Sequence, residues 1–335
     1  MLANSCWRAI TRDADPVAHH ATFDTASLAR DIHALHVAID AFEPWQSYAQ
    51  SIANQLLAPF ATVIASHTDL LIVPHGAAHL LPFHVLPFEG EALATHRTLS
   101  YLPSASALQW LPERETEALI ERILVVGNPT LDLPAATREA QFVAQLFPQA
   151  TLLIEQQATE TAVRAAIPGM PLLHFATHGI LDDVMPLNSS LLMARGEELT
   201  VYELMLLRLQ ARLVVLSACS TGQGEMTGGD DVLGLTRALL AAGAEAAVVS
   251  LWPVDDHSTA IFMQEFYTRL AEGMAPRRAL HAAQVVLRSL TMAEIEVRTR
   301  GQRRSPAAAA AVTIPANEGG YRHPYFWAPF VLVGR

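Results

Sequence analysis

Short apolar runs alternate with helix-like stretches along most of this chain, and each run is followed closely by a glycine or a proline. The runs cover 70–73, 123–129, 172–177, 213–218 and 246–252. Helix-period patterns lie between them, such as the one over 232–242 that ends at Gly243. Alternation of this kind is typical of a parallel sheet with helices packed on its faces. The sequence therefore predicts an α/β fold built around a largely parallel sheet.

Composition narrows the classes of function. The 335 residues are 51% hydrophobic, which is enough to bury a large core, and 22 basic against 33 acidic residues leave a net charge of −11. A surface this acidic repels phosphate, so we expect no direct nucleic-acid binding. No apolar run reaches the roughly 20 residues of a membrane helix, and no secretory leader pattern opens the chain. Together with only two cysteines, Cys6 and Cys219, this predicts a cytoplasmic protein without a membrane partner.

Two of the apolar runs end in reactive side chains. The run LLHFATHG ends in His178 and Gly179, and the run LVVLSACSTG ends in Cys219. The carboxyl ends of parallel strands are where open α/β sheets bind ligands. If these strands are neighbours, the imidazole takes the thiol proton and the thiolate attacks a carbonyl carbon, with the backbone N–H groups of Gly179 and Cys219 as the oxyanion hole.

A structural interpretation of the same residues stays open at this point. A cysteine in an apolar strand is usually a small core residue, and a histidine at the end of a strand often forms only a structural hydrogen bond. Spacing alone does not separate this interpretation from the catalytic one.

Four sequence blocks resemble one known family. They read HFATHG, VVLSACSTGQGE, GLTRALLAAGAEAAVVSLWPVDDHST and HPYFWAPFVLVG, and they follow an upstream block VPHGAAHLLPFHVLPF. In order and spacing they resemble the bacterial CHAT proteases, distant relatives of caspases and separases. The resemblance implies a caspase-like three-layer α/β fold. It also implies that His178 of the ATHG block and Cys219 of the SAC block are the catalytic pair.

The resemblance also suggests a division of the chain. Leu28, Ile32, Leu35 and Ile39 share one helix face, so residues 1–47 are predicted to be a helical lead-in. A CHAT domain would then span 48–335, with a degenerate, pseudo-catalytic half at 48–150 and the catalytic half at 151–335. The segment 298–320 carries five consecutive alanines and is predicted to be a mobile insertion.

Substrate specificity is predicted from the block SLWPVDDHST. In the resembling separases, an acidic residue of this turn lines the pocket for a basic residue before the cut, which suggests Asp256 with Asp255 beside it. A carboxylate binds a guanidinium well through paired hydrogen bonds. Alternatively, these aspartates only cap the helix that begins near Ser258. The sequence leaves both interpretations open.

The predicted function is a regulated cysteine endopeptidase that cuts a protein partner through a thioester acyl-enzyme. The resemblance implies a link to bacterial defence or cell death and a regulatory partner with helical repeats. We expect no cofactor and no metal, because His75, His79 and His84 lack a completing cysteine or carboxylate cluster. The alternative is a non-enzymatic caspase-like scaffold, against which the intact His178 and Cys219 pair counts.

Overall fold

The computed structural model describes residues 3–11, 17–23, 25–111, 120–180, 182, 185–217, 230–299 and 321–335. Its centre is an eight-stranded sheet. In sheet order the strands are β3 (Asp69–Ile72), β6 (Thr98–Tyr101), β15 (Phe330–Gly334), β14 (Ala246–Ser250), β13 (Leu213–Leu216), β9 (Leu172–Ala176), β7 (Arg122–Gly127) and β8 (Gln149–Ile154). All neighbouring pairs are parallel except β14 with β15.

Seven short strands form smaller sheets. Hairpins are formed by β1 (Ala3–Ala9) with β2 (Val17–Phe23) and by β4 (Pro87–Phe88) with β5 (Glu91–Ala92), and a third sheet contains β10 (Gly179–Ile180), β11 (Ser190–Leu192) and β12 (Glu198–Thr200). The third sheet begins directly after His178 and therefore borders the end of β9.

Helices complete the layers. They are α1 (Thr25–Asp40), α2 (Gln46–Leu56), α3 (Ala61–Ala65), α4 (Pro134–Leu146), α5 (Glu160–Ala166), α6 (Val201–Leu206), α7 (Asp230–Ala241), α8 (Asp256–Ala271), α9 (Pro276–Ser289), α10 (Met292–Thr299) and α11 (Pro324–Trp327). Phe262 of α8 stacks on Phe330 of β15, whereas Thr236 of α7 lines a cavity with the next residue of β15, Val331. Successive strand residues point to opposite faces, so α7 and α8 cover opposite faces of the sheet.

The predicted α/β class, a mostly parallel sheet between two helical layers, is confirmed. The central strands are buried along their whole length, and the residues of β9, β13 and β14 are all apolar except His174 and Ser250. Continuous apolar runs are what a strand covered on both faces requires. The turn after α7 contains Gly243 at φ +110°, where a Cβ atom would overlap the carbonyl oxygen of Leu209.

The first 47 residues differ from the prediction of a helical lead-in. Helix α1 is present, and Leu28, Ile32, Leu35 and Ile39 are buried as the spacing predicts. Before it, however, β1 and β2 pair antiparallel, with Ala3 opposite Phe23. The apolar spacing starts only at Leu28, so nothing in the earlier residues favoured a helix over a hairpin. Residues 300–320 of the predicted insertion lie outside the described residues.

Candidate active site

His178 lies at the carboxyl edge of the central sheet, two residues after the end of β9 and directly before β10. Its side chain is 23% exposed, so one part of the ring is packed and another reaches solvent. The carbonyl oxygen of His178 accepts a hydrogen bond from the backbone of Leu192, and the hydroxyl of Thr177 donates to the carbonyl oxygen of Leu192. Strand β11 therefore holds the backbone turn that presents the imidazole.

An aspartate that sequence analysis did not identify contacts this ring. His178 Nε2 lies 3.0 Å from Oδ1 and 2.9 Å from Oδ2 of Asp132. Partial burial alone would raise the pKa of Asp132, but hydrogen bonds from Thr130 and His178 outweigh it and leave the pKa lowered. Asp132 is therefore a carboxylate at neutral pH and attracts a positive charge on the imidazole.

Asp132 belongs to the loop that joins β7 to α4. Asn128 opens this loop in the left-handed region at φ +51° and donates its backbone N–H to Ala176 of β9 at 2.9 Å. The Asn128 side chain donates to Thr137 Oγ1 at 2.9 Å and accepts from the backbone of Leu133 at 2.8 Å. Asn tolerates the left-handed region better than most residues, which explains its presence here. The loop is thus tied both to β9 and to α4.

The structure describes the chain towards Cys219 as far as Ser217, and Cys219 itself lies outside the described residues. Strand β13 is the parallel neighbour of β9, with Leu216 opposite Phe175. The next residue, Ser217, donates its backbone N–H to the carbonyl oxygen of Phe175 at 3.0 Å. The two strands that carry the predicted reactive residues therefore leave the sheet side by side, in the same direction.

Gly179 pairs with Leu191 across β10 and β11. In an antiparallel ladder, hydrogen-bonded and non-hydrogen-bonded pairs alternate. The adjacent pair of His178 with Leu192 is hydrogen-bonded, so Gly179 occupies a non-hydrogen-bonded position. Its N–H therefore points away from β11, and among the described strands β11 is the one that pairs with β10.

The two candidate specificity residues differ in what the structure shows of them. Strand β14 is parallel to β13, so its exit reaches the same sheet edge. Asp255 is the N-cap of α8: its Oδ2 accepts from the backbone of His257 at 3.1 Å and of Ser258 at 2.9 Å, and the residue is 4% exposed. Asp256 is the first residue of α8, and its side chain is not among those described.

Three other observations concern metal binding, a buried histidine and membrane insertion. Among the described side chains, no three His, Cys, Asp or Glu come together as a metal site. His84 is fully buried, with Nε2 2.8 Å from the carbonyl oxygen of Ala328 and Nδ1 3.4 Å from the Tyr101 hydroxyl. This histidine links the segment after α3 to the start of β15, so its role is structural.

Within the described ranges, no helix is long and apolar enough to cross a membrane.

The family model of the CHAT domain matches residues 46–335. Tetratricopeptide repeat protein 28 of Mus musculus is 26% identical over 328 residues, and the human protein of that name is 25% identical over 337 residues. Each of these matches covers 81% of this chain, but the chain spans only 12% of the length of these curated relatives.

Two solved structures resemble the fold. The separase in the separase–securin complex of Saccharomyces cerevisiae is 16% identical, with a TM-score of 0.49, and the match covers 80% of this chain and 16% of that one. The Arg-specific cysteine proteinase gingipain R is 12% identical, with a TM-score of 0.48, and the match covers 92% of this chain and 74% of that one.

Proposed function

The chain belongs to the CHAT domain family, and on this premise we propose that it is a cysteine endopeptidase with Cys219 as nucleophile and His178 as base. One observation carries the proposal: β9 and β13 are parallel neighbours in register, with Phe175 opposite Leu216. His178 and Cys219 each follow these paired residues by three positions. Strand register therefore favours an imidazole and a thiol at adjacent exits of one sheet edge, which is what proton transfer between them requires.

The proposed reaction proceeds by acyl transfer. The thiol proton of Cys219 moves to the imidazole, and the resulting thiolate attacks the carbonyl carbon of the scissile peptide bond. The imidazolium returns this proton to the leaving amine as the C–N bond breaks, and water then hydrolyses the thioester. The N–H of Gly179 supports an oxyanion hole shared with the N–H of Cys219, because it takes no part in the ladder with β11 and points away from that strand.

A preference for a basic residue before the cut is proposed for Asp256. Both aspartates belong to the β14 exit, but the Asp255 carboxylate already binds two backbone N–H groups of α8. One can cap while the other faces the substrate, and the capping position is occupied by Asp255. We therefore assign substrate binding to Asp256, with Asp255 supporting the start of α8.

Regulation by a helical-repeat partner is proposed from the size of the relatives. Both are named as tetratricopeptide repeat proteins, and this chain spans 12% of their length. Helical repeats form extended concave surfaces that bind other protein segments. We propose that such a segment or partner controls access of a protein substrate to the site. The relatives are mammalian, so a role in bacterial defence or cell death and a cytoplasmic location stay predictions of the sequence resemblance.

The experiment is a cleavage assay coupled to active-site labelling. A peptide library and an unfolded protein substrate are incubated with the wild type, with Cys219→Ala, and with Cys6→Ala as the matched control that removes the other cysteine. We expect cleavage and labelling by a thiol-directed electrophile in the wild type and in Cys6→Ala, and neither in Cys219→Ala. Cleavage by a folded Cys219→Ala protein would refute the mechanism. The absence of cleavage and labelling in the wild type, with and without a repeat-containing partner, would favour the scaffold alternative.

A further inference from the structure

We propose that Asp132 is a positioning residue of this site: it holds Nε2–H of His178, so that Nδ1 is the nitrogen that accepts the proton of Cys219. The inference rests on the proposed function and deepens it. It assigns a part in the reaction to a residue that lies 46 positions from His178 in the chain.

The contact determines which ring nitrogen carries the proton. Both carboxylate oxygens of Asp132 lie within 3.0 Å of His178 Nε2. An ionised carboxylate has no hydrogen to donate, so Nε2 must be the donor. In a neutral imidazole the other nitrogen then has the free lone pair. Nδ1 is therefore the base, and the same carboxylate faces the positive charge that the ring acquires when the thiol proton arrives.

The loop is built to keep Asp132 in place. Asn128 fixes the start of the loop by its backbone bond to Ala176 and by its side-chain bonds to Thr137 and Leu133. Close packing adds to this, since a Cβ atom on Gly127 would lie 2.5 Å from the Cβ of Ala140 in α4. The hydroxyl of Thr130 donates to Oδ1 of Asp132 and orients the carboxylate itself.

Stability does not explain the pair. The Asp132 side chain is 62% exposed, and ion pairs this accessible contribute little to the free energy of folding. The loop bonds are nevertheless specific and converge on one imidazole at the sheet edge. We therefore expect substitutions of Asp132 to change turnover and leave the melting temperature nearly unchanged.

The test compares Asp132→Ala and Asp132→Glu with Glu91→Gln. Glu91 is a matched control, because its Oε2 lies 3.0 Å from Nε2 of His96 and both side chains are exposed. Two readouts are needed: kcat and KM across a pH series with a cleaved peptide, and ¹⁵N NMR of the imidazole nitrogens at neutral pH. The NMR measurement reports the tautomer of His178 whether or not a substrate is known.

We expect Asp132→Ala to lower kcat by roughly 10- to 1,000-fold with little change in KM, because a mispositioned base loses part of the about 10²–10⁴-fold that general-base catalysis contributes. The ¹⁵N chemical shift of Nε2 should change because its hydrogen bond to the carboxylate is lost, and Asp132→Glu should restore part of both properties. Glu91→Gln should match the wild type. Unchanged kcat and an unchanged Nε2 chemical shift in Asp132→Ala would overturn the inference alone. A wild type without cysteine-dependent cleavage would instead overturn the proposed function.

Discussion

The backbone N–H of Ser217 donates to the carbonyl oxygen of Phe175 at 3.0 Å, one residue beyond the last strand residue of β13. Parallel pairing between β13 and β9 thus persists to the edge where both chains leave the sheet. Under the proposed function, the scissile carbonyl of a substrate binds at this edge.

The first prediction concerns His178 and Cys219 as one catalytic unit. We expect His178→Ala and Cys219→Ala each to reduce cleavage to background, and the double variant to be no slower than either single variant. The effects of substituting residues that act on the same proton are strongly non-additive, because neither residue can catalyse the transfer without the other. Initial rates on one peptide, with melting temperatures as the check on folding, measure this. Rate losses that multiply in the double variant would indicate two independent functions.

The second prediction concerns the approach to the oxyanion. Gly179→Val is expected to lower kcat by roughly 100-fold, a loss of the size seen when one oxyanion donor is removed, and Gly179→Ala by less. A Cβ at this position would lie 3.8 Å from the carbonyl oxygen of Ser190 and 4.0 Å from a Leu191 methyl group, so the fold accommodates it. Kinetic constants of both variants are compared with those of Ile180→Val, a change in the same strand. Wild-type turnover in Gly179→Val would remove Gly179 from the site.

Sequence patterns predicted the central strands well for a physical reason. Strands such as β9 and β13 are buried on both faces, so they are continuous apolar runs that stand out from their surroundings. The N-terminal hairpin has no such signal, because within the described part of the chain β1 and β2 pair only with each other.

The contact between Asp132 and His178, in contrast to the central strands, could not be predicted from the sequence. The strand before Asp132 was predicted from the run over 123–129, and its position at a carboxyl edge was the one available signal. Asp132 contacts His178 because β7 and β9 are neighbours in the sheet, with β13 on the other side of β9. Strand order is set by long-range packing and crossover geometry, which a pattern of apolar residues does not encode. The contact between the two residues could therefore be identified only in the folded structure.

The third prediction concerns acid stability. Burial lowers the pKa of His84 from 6.5 to about 4, partly offset by its bond to Ala328. In the unfolded chain His84 therefore binds a proton below about pH 6.5, whereas in the folded chain it binds one only below about pH 4. Stability falls as the pH drops through this window, by about 3 kcal/mol for His84 alone. Burial lowers the pKa of His323 to about 4 as well, which adds a contribution of the same sign.

Urea denaturation at pH 7, 5.5 and 4 measures this dependence. We expect His84→Gln, which keeps a donor for Ala328 but does not titrate, to show a shallower loss of unfolding free energy than the wild type. His33→Gln, on an exposed position of α1, is the control and should keep the full dependence. Equal slopes for the wild type and His84→Gln would show that the buried imidazole is not the source.

The last prediction separates the two aspartates of the β14 exit. We expect the wild type to prefer Arg over Leu before the scissile bond by roughly 10- to 100-fold, because a charge-assisted bond to a carboxylate is worth about 1.5–3 kcal/mol. Asp256→Asn should lose this preference. Asp255→Asn is the matched control, since Asn caps a helix as well as Asp does.

Asp255→Ala completes the comparison. It removes the acceptor of the His257 and Ser258 N–H groups, so it should cost about 1 kcal/mol in unfolding free energy without abolishing the Arg preference. Fluorogenic peptides that differ only at the residue before the cut, with Arg, Leu or Asp there, provide the measurement. If Asp256→Asn keeps the Arg preference while Asp255→Asn loses it, then the capping residue Asp255, rather than Asp256, binds the basic side chain of the substrate. Equal rates for all three peptides in the wild type would place specificity outside this turn.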